Sequence, residues 1–282
     1  MRQIDLHVHT TASDGTYTPT QAVELAARLG LSAIAVTDHD TVAGFDEARR
    51  AGEKLGVELV PGIEISTHFG RAVHILGYYI DPKSRILADT LVWMIRERDV
   101  RNRRMVEAMA ADGIPISYER MRERFGTAIG RPNFGQILVE LGYASSVQDA
   151  FDRFIEKGQK YYRSRKMLSI ERTVETIVRT GGVAVLAHPF QYRLDDAGLR
   201  ELIEHCLDYG LGGMECLYSG YTAEQSAYLL RLAREYGLTP TGGSDFHGLN
   251  KPAISMGSGK GDLFVPYELL EGLKERKEKS SE

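Results

Sequence analysis

Cysteine is scarce in this chain: Cys206 and Cys216 are the only two among 282 residues, too few for a disulfide-stabilised scaffold. We expect both to be reduced and buried, which favours a cytoplasmic location. Long apolar runs are also missing, and no stretch approaches the ~18 residues that a membrane helix needs, so we expect no membrane contact. Charge of one sign is not in excess, because 39 acidic residues slightly outnumber 35 lysines and arginines. This balance argues against bulk binding to duplex nucleic acid, although it is compatible with a local basic patch.

What the chain does have is an alternation of strand and helix patterns. Thr18 followed by Pro19, for example, predicts the start of an amphipathic helix soon after the first strand. Strands are predicted near 3–8, 33–37, 57–60, 71–79, 183–187, 213–216 and 238–241. Between 82 and 165 the pattern is helical throughout. We therefore predict an α/β fold, a parallel barrel or a doubly wound sheet formed by 1–81 and 166–282, with a helical insertion domain at 82–165.

Two histidines, His7 and His9, lie two residues apart in and just after the first predicted strand. On a strand both rings leave by the same face, while Ile4, Leu6 and Val8 point to the other. Two imidazoles held at a fixed spacing suit a metal ion. Taken alone, the pair is equally typical of two surface histidines on a half-buried strand.

Residue types that bind metals recur at other strand ends. Six of the eight histidines lie in or just after a predicted strand, and Asp14, Glu64 and Asp245 follow strand ends or lie in the loops beyond. Since the carboxyl ends of parallel strands share one face of a barrel, these side chains are expected at one mouth. The full set is His7, His9, Asp14, His39, Glu64, His74, His188, Asp245 and His247. His205, near the end of a predicted helix, is more typical of packing or of a charge at a helix C-terminus.

At these positions the sequence resembles the PHP family, named for polymerase and histidinol phosphatase. The similar segments, in family order, are Asp5-Leu6-His7-Val8-His9-Thr10, Thr37-Asp38-His39-Asp40, Pro61-Gly62-Ile63-Glu64, His74, Ala187-His188-Pro189 and Gly243-Ser244-Asp245-Phe246-His247. The resemblance implies a distorted (β/α)7 barrel that holds two to three divalent metal ions and hydrolyses phosphate esters. It covers the whole chain outside the predicted insertion.

The resemblance also implies how the ligands of a trinuclear centre divide. The first ion would be held by His7, His9, Glu64 and Asp245; Glu64 would bridge to a second, held also by His74 and His188; Asp14, His39 and His247 would hold a third. Through these ions the catalytic residues would be His7, His9, Glu64, His188, Asp245 and His247.

Two further features of the ligand set bear on this resemblance. Asp14 stands where many family members have histidine, and its oxygen favours Mn²⁺ or Mg²⁺ over Zn²⁺, while the mixed nitrogen and oxygen ligands are also compatible with Zn²⁺ and Fe²⁺; Mn²⁺ is the ion that we expect most. Asp38 and Asp40 flank a ligand, and either they orient His39 or Asp38 only caps the turn.

Clustered divalent ions suit hydrolysis at phosphorus, since they bind phosphoryl oxygens and lower the pKa of a bound water that attacks. The sequence offers no competing Ser-His-Asp arrangement or activated cysteine. Its Gly242-Gly243-Ser244 stretch lacks the lysine of a nucleotide-binding phosphate loop. The group that protonates the leaving alkoxide is not assigned.

The predicted insertion is rich in arginine. Arg98, Arg101 and Asn102 share one face of a long predicted helix, which is typical either of a solvated helix with weak ion pairs or of an anion-binding surface. Gly130-Arg131-Pro132-Asn133 opens another helix, whose N-terminus also attracts anions. If the insertion covers the barrel mouth, a basic and partly aromatic lid would be completed by Lys157, Lys160, Tyr161 and Tyr162.

This combination resembles the PHP branch that hydrolyses nucleoside 3′,5′-bisphosphates and trims short RNA from its 5′ end. The resemblance implies substrate-binding roles for Arg101, Asn102, Arg104, Arg131 and Asn133. Tyr192 and Tyr218 either stack on a base or pack in the core.

Three hypotheses stand at this point. The first is a phosphoesterase acting on a nucleotide bisphosphate or a short 5′-phosphorylated oligoribonucleotide. The second is a histidinol-phosphate-type metabolite phosphatase, and the third is a non-catalytic, metal-stabilised partner module. The arginines favour the first, because metals alone can hold a single phosphate, and the full ligand set speaks against the third.

Overall fold

A computed structural model of the protein describes residues 2–127 and 129–279. The strands in these residues are β1 (Ile4–Val8), β2 (Ala33–Val36), β3 (Glu58–Phe69), β4 (Arg71–Tyr78), β5 (Leu168–Ser169), β6 (Val183–Leu186), β7 (Leu211–Tyr218) and β8 (Thr239–Gly243). The α-helices are α1 (Pro19–Arg28), α2 (Phe45–Leu55), α3 (Arg85–Ala111), α4 (Tyr118–Phe125), α5 (Arg131–Glu140), α6 (Val147–Ala150), α7 (Ile170–Arg179), α8 (Asp196–Leu207), α9 (Ala223–Glu235) and α10 (Glu268–Lys279).

The main sheet is a nearly closed barrel of seven strands in the order β1-β2-β3-β4-β6-β7-β8, and the short β5 pairs with β3. Neighbours from β1 to β3 and from β6 to β8 run parallel. The ring closes where Val8 bridges to Phe246, just after β8, with the His9 amide donating to the Phe246 carbonyl at 2.9 Å. The predicted α/β barrel is confirmed.

The predicted alternation of parallel strands is wrong around β3 and β4. These strands form an antiparallel hairpin, turned at Gly70 with a φ of +62°, and β4 also runs antiparallel to β6. The third strand was predicted to end near 60, but β3 continues for 12 residues. Glu64 therefore lies inside a strand rather than after one. The long pairing with β4 explains the extension, because every added residue gains a partner across the hairpin.

The first strand also departs from its predicted single apolar face. The register with β2 shifts between Asp5 and Val8. Ile4 and Leu6 pack in a core cluster that joins five strands of the barrel, whereas Val8 packs in a different cluster against α1 and α2. Such an irregularity in a strand re-aims the side chains beyond it. The simple alternation rule fails here because it assumes an uninterrupted strand.

Between β4 and β5 the described residues form helices and loops. Helices α3 to α6 continue into a π-helical turn at Phe151–Ile155. Apolar side chains of α4 to α6 and of the end of α3 form a core cluster of their own, whereas Leu87, Leu91 and Met94 in the first half of α3 pack in a cluster of the barrel. In the part of the chain that the structure describes, no helix is long and apolar enough to span a bilayer. The division of the chain into a barrel (1–81 and 166–282) and an insertion domain (82–165) stays a prediction.

Gly243 allows β8 to lie directly against β1 beside His7. A Cβ atom added at Gly243 would lie 2.3 Å from the Cβ of His7 and 2.5 Å from its amide nitrogen. We expect Gly243→Ala to lower the free energy of unfolding by about 1–3 kcal/mol, because backbone must move to admit the methyl group. Urea unfolding followed by circular dichroism measures this change.

The matched control is Gly272→Ala in α10, where the added Cβ would meet Thr239 Cγ2 at an ordinary 3.5 Å. Alanine is preferred over glycine in a helix, so this variant should be neutral or slightly more stable. Equal stability of Gly243→Ala and the wild type would show that β8 can move away from His7 at no cost.

Candidate active site

The predicted metal-binding side chains meet at one mouth of the barrel. Strand β1 and the loop after it bring in His7, His9 and Asp14, and the turns after β2, β6 and β8 bring in His39, His188, Asp245 and His247. Glu64 comes from within β3 and His74 from within β4. All nine residues belong to four overlapping groups whose ligand-type atoms lie within 4.8 Å of one another.

Glu64 lies at the centre of this cluster. Its Oε1 is 2.9 Å from His74 Nδ1 and 3.0 Å from His188 Nε2. Its Oε2 is 2.9 Å from His39 Nδ1. The carboxylate is 1% exposed and belongs to two of the four groups. Because its two oxygens face different sets of histidines, Glu64 has the geometry of a bridging ligand.

The donor set fits divalent metal ions. Ring nitrogens of His7, His9, His39 and His188 and the Oε2 of Glu64 are buried without a hydrogen-bond partner. Buried polar atoms are normally satisfied, and lone pairs of imidazole and carboxylate are what Mn²⁺, Fe²⁺ and Zn²⁺ accept. The cluster therefore has the chemistry of a divalent metal site.

The groups in the structure differ in part from the predicted division among ions. His9 belongs to one group with Asp14, His39 and His247 and to a second group with His7 and Asp245. Glu64 belongs to one group with His7 and His188 and to another with His39 and His74. The assignment of residues to particular ions stays a prediction.

Several residues that were not predicted to contact the metal ligands orient the cluster. Glu215 in β7 lies 2.9 Å from His7 Nδ1 with Oε1 and accepts from the His188 amide at 2.7 Å with Oε2. The Oδ2 of Asp245 accepts from Tyr218 Oη and Lys251 Nζ, both at 2.6 Å. The available signal was Glu215 itself, a single charge within the apolar pattern of a barrel strand.

Neither alternative for the aspartates beside His39 describes their bonding in full. Asp38 accepts from the Thr10 amide and hydroxyl, both at 2.7 Å, and from the Ser13 hydroxyl at 2.6 Å. It therefore fixes the loop that follows β1 rather than the His39 ring. Asp40 accepts from the Ser66 amide at 2.8 Å and from two arginines described below.

Glu215→Gln is expected to weaken metal binding by about 10–100-fold, because a ligand histidine loses the carboxylate that fixes its tautomer and ring orientation. Metal titration of the stripped protein, followed by elemental analysis, measures the change. Glu204→Gln, on the surface of α8, is the control and should bind metal like the wild type. Unchanged affinity in Glu215→Gln would show that packing alone holds His7.

A cavity of about 600 Å³ opens above the cluster. Asp14, His39 and His74 line it from the barrel, and the helical segment contributes a set of cationic and aromatic side chains. The cationic lining residues are Arg71, Arg98, Arg101, Arg131, Lys157, Arg163 and Arg165. The helical segment thus covers this mouth and gives the cavity a strongly positive wall.

The predicted substrate-binding residues divide into two kinds in the structure. Arg101 and Arg131 line the cavity. Asn102 is buried and donates to the Ile129 carbonyl at 3.1 Å, and Asn133 accepts from the Gly130 amide at 2.7 Å. These two asparagines hold backbone in place. Arg104 is exposed on α3 and does not line the cavity, and its substrate-binding role stays a prediction.

The predicted lid residues and tyrosines divide in the same way. Lys157 and Tyr162 line the cavity, while Lys160 and Tyr161 both bond to Asp112 outside it. Tyr192 donates to the Ala187 carbonyl at 2.7 Å, and Tyr218 donates to Asp245. Both tyrosines are buried, which favours positioning over base stacking. His205 lies 2.6 Å from Glu171 on the surface.

Burial and mutual repulsion shape the electrostatics of the arginines. Burial lowers the pKa of Arg165 to about 10, and the nearby Arg98 adds to this effect while Asp40 opposes it. Arg101 is 5% exposed, and burial, followed by the charges of Arg98, Arg165 and Arg131, lowers its pKa well below the ordinary value. Burial alone would raise the pKa of Asp40, but the charges of Arg98 and Arg165 lower it below its usual range.

An α/β barrel with a buried histidine and carboxylate cluster under a cationic cavity defines a metal-dependent hydrolase of phosphate esters. A model of the PHP domain matches residues 5–210, and the chain belongs to this family. It is an enzyme, and the alternative of a non-catalytic module is set aside.

Individual relatives agree with this class. The chain is 36% identical over 253 residues to a 5′-3′ exoribonuclease of Haemophilus influenzae, covering 87% of this chain and 90% of the relative. It is 33% identical over 250 residues to a 3′,5′-nucleoside bisphosphate phosphatase of Chromobacterium violaceum, covering 88% of each. A solved structure from Bifidobacterium adolescentis, named as a metal-dependent phosphoesterase, superposes with a TM-score of 0.87 at 33% identity, covering 98% of this chain and 96% of that one.

Proposed function

We propose that this enzyme hydrolyses a phosphate ester of a nucleotide that carries a second phosphate, either a nucleoside 3′,5′-bisphosphate or a short 5′-phosphorylated oligoribonucleotide. One observation carries the proposal: Arg101 is buried in the cavity wall, its Nε has no hydrogen-bond partner, and three further cavity arginines raise the local positive charge. A buried guanidinium without an anion is costly, so the site is built to receive one.

The size and composition of the cavity support this substrate class. A volume of about 600 Å³ lies within the usual range for small-molecule sites. Glu156 is the acidic lining residue outside the metal cluster, and it pairs with Arg131 at 3.3 Å. One phosphate at the metal cluster and another at the arginines would both be bound. The residues 82–165 act in this proposal as the lid domain that confers the second contact.

The chain's own residues have distinct roles in the proposed reaction. Two to three divalent ions, with Mn²⁺ preferred by the mixed nitrogen and oxygen donors, would supply Lewis-acid activation of water and charge neutralisation. The nine clustered side chains would hold these ions. Glu215, Tyr218 and Lys251 fix the orientation of the ligands. Arg101 and Arg131 would bind the phosphate that is not cleaved and so align the ester.

The proposal is tested with Mn²⁺ by phosphate release from adenosine 3′,5′-bisphosphate, adenosine 5′-monophosphate and histidinol phosphate, and by release of mononucleotides from a 5′-phosphorylated RNA pentamer. We expect kcat/KM for the bisphosphate or the RNA to exceed that for either monophosphate. Preference for histidinol phosphate would support the metabolite phosphatase instead. Absence of release from every substrate by metal-loaded enzyme would overturn both.

A further inference from the structure

Asp40 connects the metal-bearing mouth to the arginine wall. It directly follows His39, is 1% exposed, and has a φ of +57°, a left-handed conformation that aspartate and asparagine tolerate better than most residues. Its Oδ1 accepts from the Ser66 amide at 2.8 Å. Its Oδ2 accepts from Arg98 Nη2 and, at 2.9 Å, from Arg165 Nη2. One buried carboxylate therefore binds two buried guanidinium groups.

These two arginines come from distant parts of the chain. Arg98 lies 58 residues after Asp40 in α3, and Arg165 lies 125 residues after it, where the chain returns to the barrel. Both line the cavity. Two like charges at this depth repel each other, and Asp40 is the carboxylate that the structure pairs with both.

Four arginines of the wall, Arg98, Arg101, Arg131 and Arg165, thus have different partners. Asp40 binds Arg98 and Arg165, and Arg98 also donates to the Ile129 carbonyl at 3.3 Å. Arg131 pairs with Glu156. Arg101 is the member of the four for which the described residues offer no hydrogen bond or ion pair, and its Nε is buried without a partner. Two guanidinium groups are held in position before substrate arrives, and a third is left for the substrate.

We propose that Asp40 is a positioning residue that fixes Arg98 and Arg165 in advance and thereby sets the preference for a substrate with a second phosphate. This inference rests on the proposed function. Preorganised charges bind an anion better than mobile ones, because the entropy of ordering them is not lost at binding. Asp40 belongs to none of the groups of possible metal ligands within the described residues. Its effect should therefore fall on substrate affinity and not on metal content.

Asp40→Asn is the central variant. Asparagine keeps the left-handed backbone and an acceptor oxygen for the Ser66 amide but removes the negative charge. We expect KM for adenosine 3′,5′-bisphosphate to rise about tenfold, while kcat/KM for adenosine 5′-monophosphate changes less than about threefold. Metal content by elemental analysis should equal that of the wild type. In an Arg165→Met background the same substitution should add little, because the two residues act together.

A readout that does not depend on turnover separates this inference from the proposed function. The melting temperature of the Mn²⁺-loaded protein is measured during titration with sulfate. Sulfate should protect the wild type and the control Arg96→Met, an arginine on the exposed face of α3, more than it protects Asp40→Asn.

The outcomes distinguish the two ideas. An unchanged or lower KM for the bisphosphate in Asp40→Asn, or equal protection by sulfate, would overturn the positioning role. Loss of metal would overturn it as well, by showing that Asp40 acts through His39. A wild type that is protected by sulfate but hydrolyses neither the bisphosphate nor the RNA pentamer would contradict the proposed function alone.

Discussion

Glu64→Gln is expected to reduce kcat/KM at least ~1000-fold on every phosphate ester and to remove or displace more than one metal ion. The two oxygens of Glu64 face His74 and His188 on one side and His39 on the other, at 2.9–3.0 Å. An amide can offer one neutral oxygen only, so it cannot replace a bridging carboxylate. Glutamine has nearly the same volume, which keeps the effect from arising through a cavity in the barrel.

The measurement is metal stoichiometry by elemental analysis together with steady-state kinetics. Glu156→Gln is the matched control, because it changes a carboxylate in the same cavity that lies outside the groups of possible ligands. It should keep its full metal content. Retention of full stoichiometry in Glu64→Gln would falsify the bridging role, and loss of a single ion would assign Glu64 to one ion only.

Local signals in the sequence predict local structure well. Thr18 and Pro19 predict a helix start, and α1 begins at Pro19 with the Thr18 side chain accepting from the Gln21 amide. Such a signal needs only four consecutive residues. The strand ends that carry His39 and His188 are similarly visible, since an apolar run stops at a polar residue. The α/β class follows from repetition of these short patterns, whereas the choice of a barrel over a doubly wound sheet is implied by the family resemblance.

Features that depend on contacts between distant parts of the chain cannot be predicted from such short sequence patterns. The continuation of β3 through Glu64 depends on its partner β4, and no local pattern distinguishes it from a loop. Glu215 contacts His7 from 208 residues away. Asp40 meets Arg165 across 125 residues. The metal-ligand residues could be predicted, but the carboxylates that orient them could not. A buried carboxylate is stable only beside a hydrogen-bonding or charged partner, and here the fold brings that partner from a distant part of the chain.

The same limit explains the mixed result for the arginine helix. Helical spacing places Arg98, Arg101 and Asn102 on one face, and all three are buried in the structure. Spacing does not tell which of them bonds to protein and which faces the cavity. Asn102 holds a backbone carbonyl, Arg98 pairs with Asp40, and Arg101 lines the cavity with its Nε unpartnered. Arg104, which the family resemblance adds, is exposed and does not line the cavity.

Arg101→Met is expected to raise KM for adenosine 3′,5′-bisphosphate by about 10–100-fold, with a much smaller effect on adenosine 5′-monophosphate. The range corresponds to the loss of a charge-assisted hydrogen bond of ~1.5–3 kcal/mol. Methionine retains much of the aliphatic stem but offers no donor and no charge. Steady-state kinetics on the two substrates give the ratio, and Arg96→Met on the exposed face of the same helix is the control.

We expect Arg101→Met to be more stable than the wild type, although it binds the bisphosphate more weakly. In the protein without substrate, Arg101 is a charge that is 5% exposed, and its pKa is lowered by burial and by neighbouring cations. Removing a buried charge without a counter-ion should raise the free energy of unfolding, whereas removing a structural ion pair should lower it. Urea unfolding without substrate distinguishes these cases. A variant that gains stability while losing the bisphosphate identifies Arg101 as a residue kept for its ligand; a variant that loses stability with unchanged KM identifies it as part of the scaffold.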